Sequence, residues 1–100
     1  MEDKRAHLES LRVPTIHLNG THPLELTRNL EAAYQALTEA CRALNETQPH
    51  GRDYTGQGPD GYTEAFKQHK ARGAKLCEVM DELAFLAHEI HERNEVPSNG

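Results

Sequence analysis

One hundred residues carry eleven Lys and Arg against sixteen Asp and Glu, a net charge of −5 with the seven His neutral. A chain this short is one domain and buries only about two-thirds of its unfolded surface, and its acidic balance argues against nonspecific binding to DNA or to an anionic membrane as the main role. No apolar run reaches the roughly 18 residues of a membrane span, and the charged start at residues 1–5 is not followed by the apolar core of a signal peptide, so a cytoplasmic protein is expected.

Residues 1–12 form an arm with apolar side chains only at Ala6, Leu8 and Leu11, which suits a short helix that docks weakly or frays. Residues 13–21 follow as an extended segment and turn. Ile16 and Leu18 alternate with Thr15 and His17, Pro14 confines the run to a sheet edge or a free extended stretch, and Asn19-Gly20 supplies a turn because both residues tolerate positive φ. A first long helix spans 22–46, with Pro23 in its first turn and Thr21 or His22 as its cap, Thr21 having the better side chain for it. Leu26, Leu30, Ala33, Leu37, Ala40 and Leu44 repeat at four and three, a heptad seam widened by Tyr34 and Cys41.

Residues 47–61 are the break, a loop holding four of the seven glycines, two prolines and no aliphatic residue. A loop of that length is usually mobile or functional. A second long helix spans 62–94, capped near Asp60 and followed by a disordered tail at 95–100. Its seam runs through Tyr62, Phe66, His69, Gly73, Leu76, Met80, Leu83, Ala87 and Ile90, with His69 as a buried core histidine and Val79 and Leu86 widening the stripe. The expected fold is therefore all-α: a long antiparallel helical hairpin with a short N-terminal helix. Two helices cannot enclose a core, and Tyr34, Cys41, Val79, Phe85 and Leu86 need another surface, so the hairpins are expected to assemble as a homo-oligomeric helical bundle. A glycine inside a helix costs about 1 kcal/mol relative to Ala, and Gly73 is either tolerated or kept for close approach of a backbone or ligand.

With the loop as hinge, Cys41 lies opposite roughly residue 67 and Cys77 about 15 Å further along, which speaks against a disulfide and for two isolated buried thiols acting as small apolar residues. His88, His91 and Glu92 match neither the zinc-protease nor the di-iron helix spacing and read as a solvated, charged helix end; no metal ligand is assigned. Ser10 and Ser98 are peripheral, neither cysteine has an evident base, and no phosphate-loop glycine pattern occurs. The chain is read as a non-enzyme with no cofactor.

Charge is uneven along the chain, with six Lys or Arg against four Asp or Glu between Arg42 and Cys77. The plain reading is a solvated face balancing Glu39 and Glu46 across the hairpin. The functional alternative is an anion site in the loop, with Arg52 as bidentate phosphate donor, Tyr54 as stacking or hydroxyl contact, Asp53 between them, and Lys67 and Lys70 on the following helix. His17, Asn19, Gly20 and Thr21 offer a complementary half, since a turn leading into a helix start presents free N–H groups to an anion. Plain helix capping is the simpler explanation of that turn.

Two stretches carry a family likeness. Pro14-Thr-Ile-His-Leu-Asn-Gly-Thr21 and Gly51-Arg-Asp-Tyr54 resemble signatures of a family of small bacteriophage and prophage proteins, and the likeness covers roughly residues 13–92. The family pattern usually has Ser where this chain has His22 and a second Tyr where it has Thr55. More distantly, the layout is similar to phage helical-hairpin sponges, oligomers that sequester nucleotide immune signals such as cyclic oligonucleotides or cyclic ADP-ribose variants. That resemblance implies a phage anti-defence binder in the infected host cytoplasm, acting on a nucleotide-derived ligand without catalysis. A protein-interaction module, either an inhibitor of a host defence protein or a phage assembly adaptor, is the alternative, motivated by the acidic second half of the last helix. The turn and the loop fall about 35 Å apart in an antiparallel hairpin, so one ligand could use both only between subunits.

Overall fold

The computed structural model describes residues 2–95, in the order α1 (Glu2–Glu9), α2 (Pro23–Asn45), a 3-10 helix (Gly51–Gln57) and α3 (Gly61–Glu95). Every element is helical, and no strand occurs among the described residues. The alternation at 13–18 makes no ladder: residues 12–17 have no regular structure and 18–20 form a turn. A lone alternating run has no strand among the described residues to pair with, and Val13 and Ile16 are half-buried without a ladder. Of the tail expected at 95–100, Glu95 is helical, and the rest lies outside the described residues.

Local chemistry sets the ends of α2. Pro23 occupies the first turn, where a missing N–H costs nothing. His22, extended at φ −62 and ψ 139, is the cap: its Nδ1 accepts from the Leu24 N–H at 3.1 Å. The expected preference for Thr21 is thus wrong, because an imidazole acceptor one residue nearer reaches an unsatisfied first-turn N–H. At the far end the Glu46 and Thr47 N–H groups bond Ala43 and Leu44 carbonyls, tightening the last turn.

The seam largely follows the heptad pattern. Leu26, Leu30, Leu37, Cys41 and Leu44 are half-buried against α3, while Ala33 and Ala40, expected on the seam, are exposed. On α3 the half-buried positions include Phe66, Gly73, Leu76, Met80, Leu83, Leu86 and Ala87. Among the described residues only Ile90 (1% exposed) and His69 (8%) are buried, and α2 buries no residue completely. The expected burial of His69 holds; its ring lies beside Phe66, centroids 6.5 Å apart.

The helix register differs from expectation by about nine to thirteen residues, or ~14–20 Å at 1.5 Å per residue. Leu44 Cδ2 lies 3.9 Å from the position a Gly73 Cβ would take, and Cys41 Sγ is 3.7 Å from Met80 Sδ. The displacement comes from the loop, which is a packed element rather than a simple hinge. The 3-10 helix lies on the first turns of α3, so those turns extend past the end of α2. Gly61 permits the approach: a Cβ there would sit 2.8 Å from Gln57 Cβ. Cys41 and Cys77 therefore line one shallow groove instead of standing ~15 Å apart. Both are free thiols, and Cys77 is exposed rather than buried.

The molecule is long and thin, 66 × 27 × 21 Å, with a radius of gyration of 19.2 Å, against about 13 Å for a compact 100-residue domain. Its accessible surface is 7889 Å²; a compact monomer of 11.2 kDa exposes about 5,700 Å². The excess, about 2,200 Å², is larger than the roughly 800 Å² that each partner contributes to a standard interface.

Candidate functional site

The turn half of the expected site is built around His17. The Gly20 N–H bonds the His17 carbonyl at 3.1 Å, and the His17 imidazole folds over Gly20, where a Cβ would meet Nε2 at 3.0 Å. Gly20 leaves space beneath that ring and has no positive φ; among the described residues only Gly58, at φ 84, is in the left-handed region. His17, Asn19, Gly20 and Thr21 are all exposed, as is Leu18 at the tip of the same turn (101%). The groove near the start of α2 is lined by Leu24, Thr27, Arg28 and Glu31 together with Ala87, His88 and His91 of α3 and includes none of the four.

The loop half lies at the other end. Arg52 and Asp53 are exposed on the 3-10 helix, and Tyr54 is half-buried. Tyr54 lines a shallow groove with Gln57, Asp60, Gly61, Glu64, Ala65 and Gln68. Two carboxylates there disfavour a phosphate at Tyr54 itself. Lys67 pairs with Glu64 at 3.7 Å, and Lys70 Nζ is 5.9 Å from the Phe66 ring centroid, so each cation of this helix face already has a local partner.

The two halves are not brought together. They stand at opposite ends of α2, whose 23 residues span about 34 Å. Between them runs a mostly apolar flank: a groove lined by Leu30, Tyr34, Leu83 and Ala87, with Arg28, Glu31 and Gln35 at its edge, and Val79, 44% exposed, outside that groove one turn before Leu83 on α3.

Comparison with protein-family models, with curated proteins and with solved structures finds no match.

One cluster was not foreseen. His7 on α1 and Glu78 and Glu82 on α3 place their possible ligand atoms within 4.8 Å of one another. His7 Nε2 donates to Glu82 Oε2 at 2.5 Å, and Lys4 pairs with Asp81 at 2.8 Å. The hydrogen bond to Glu82 raises the His7 pKa above its ordinary 6.5, and the bond to Asp81 raises that of Lys4 above 10.5. The i, i+4 spacing of Glu78 and Glu82 is visible in the sequence; the docking of α1 that adds His7 is not. No helix among the described residues is long and apolar enough to cross a membrane.

Proposed function

We propose that this protein acts without catalysis, as a homo-oligomer of helical hairpins that holds a nucleotide-derived anion, of the cyclic oligonucleotide or cyclic ADP-ribose type, between copies. The observation that carries the reading is the separation of two exposed polar stretches by an unpartnered apolar flank. Antiparallel pairing of two copies along that flank sets the turn of one (His17, Asn19, Thr21) beside the loop of the other (Arg52, Tyr54). Turn N–H groups and a guanidinium then face one anion from two sides, and the surface excess gives the pairing its driving force. On the family likeness, the setting is a phage-infected bacterial cytoplasm and the role is sequestration of an immune signal.

Calorimetric titration of tag-free protein with a panel of cyclic dinucleotides, cyclic trinucleotides and ADP-ribose derivatives tests the reading. Stoichiometric binding that is lost in Asn19→Ala and in Arg52→Ala, and partly regained on mixing the two, is the expected result. Silence across the panel, with no nucleotide released on heating, overturns it.

The carboxylates of Asp60 and Glu64 around Tyr54 favour a second reading, in which the loop end contacts a protein rather than a phosphate. A stoichiometric host protein retained by the Arg52→Ala variant would support that interaction module.

A further inference from the structure

The N-terminal arm raises a separate question, independent of any nucleotide. Among the helices, α1 packs on α3 and on no other. Leu8 sits half-buried beside Ala74 and Cys77, with the Lys4–Asp81 ion pair and the His7–Glu82 hydrogen bond beside it. We propose that His7, Glu78 and Glu82 form a binding site for a divalent transition-metal ion, zinc by the chemistry of the donors, which fastens the arm to α3.

The donors come from two elements. Glu78 and Glu82, four apart, present carboxylates one above the other on the same helical face, an arrangement that is mutually repulsive without a cation. The imidazole arrives from α1, and the three donors already lie within 4.8 Å of one another. Tetrahedral zinc, with bonds of about 2.0–2.2 Å, wants its ligand atoms roughly 3.4 Å apart, so small rotations of the exposed His7 and Glu78 and the half-buried Glu82 bring the three into place. His7 Nε2 and Glu82 Oε2 move apart, and the ion replaces the proton between them. Water completes the fourth position on the exposed side.

The surrounding charge favours a cation. Asp3 and Asp81 line the same groove as Glu78, and Lys4, the lysine there, is engaged by Asp81. One imidazole nitrogen with two carboxylate oxygens suits zinc, cobalt or nickel better than magnesium or calcium, which prefer oxygen alone. Closing the arm onto α3 through a metal bridge removes its freedom to swing about the irregular segment at residues 12–17.

The experiment uses tag-free, chelator-treated full-length protein titrated with zinc chloride, and with cobalt chloride for its visible spectrum. Expected are saturable binding of one ion per chain, visible absorption bands from an ordered cobalt site, and slower tryptic cleavage after Arg12 when zinc is present. His7→Ala and the double variant Glu78→Gln, Glu82→Gln should each weaken binding well beyond the 10–100-fold that loss of an outer-shell partner costs, while His88→Ala leaves it unchanged. Circular dichroism before titration shows that each variant keeps its helix content, which is expected because the three side chains lie outside the hairpin seam. No saturable binding up to about 1 mM zinc, binding that survives His7→Ala, or binding lost in His88→Ala would each overturn the site.

Discussion

Replacing Gly73 with Ala separates two explanations of a glycine in the middle of a 35-residue helix. A Cβ at this position meets only Leu44 Cδ2, at 3.9 Å, an ordinary van der Waals contact, and nothing else within 4 Å. No left-handed backbone is involved, since Gly58 alone has positive φ among the described residues. Within one chain the substitution therefore meets no steric cost and removes a helix-propensity penalty of about 0.8–1.0 kcal/mol. For a domain of this size that corresponds to a rise of roughly 3–8 °C in Tm. The assay is thermal unfolding followed by circular dichroism at one fixed chain concentration, because association of the folded form also moves Tm. A fall in Tm, or a loss of oligomer in sedimentation velocity, would refute the reasoning and show that a second backbone occupies the space beside Gly73.

Ile90→Ala removes the one fully enclosed apolar side chain among the described residues and should cost about 2–4 kcal/mol, read as a lowered urea midpoint with unchanged slope. His22→Ala should lose about 0.5–1 kcal/mol of the capping bond to Leu24, whereas His22→Ser should match or exceed the wild type in the same urea assay. Thiol titration with a chromogenic disulfide should show one fast group, the exposed Cys77, and one slow group, Cys41; equal rates would contradict their different exposure. Val79→Glu, at an exposed position on the apolar flank, should lower the sedimentation coefficient towards that of a single chain if copies pair there, while leaving helix content unchanged.

The helices themselves were largely legible, because a four-three repeat of apolar residues leaves few alternatives to two long helices. Leu30 shares a groove with Leu83, and Leu44 lies beside Gly73. What the spacing could not supply was register. Heptads are periodic, so sliding α2 along α3 by whole heptads leaves the apolar match intact, and the choice is made by the loop. That loop lacks aliphatic residues, which conceals its packing: Tyr54 and Gln57 lie against α3 through the space left by Gly61. The same error moved Cys77 away from Cys41 and gave the first turns of α3 to α2. At the turn, the residues were identified but the reason for Gly20 was not, because the ring it accommodates belongs to His17 three positions earlier. His7 is hidden for a related reason: nothing in an isolated eight-residue, mostly charged stretch says which helix it will lie on.

A hairpin with one fully enclosed apolar side chain has little with which to protect itself when dilute. If copies supply the missing walls, folding and association become a single equilibrium, and the fraction of intact protein rises steeply with the number of chains per cell. Newly made chains would be open to proteases until enough accumulate, and intact material would then appear as though past a threshold. The thinness of the interior would in that case set a minimum dose below which the protein does nothing.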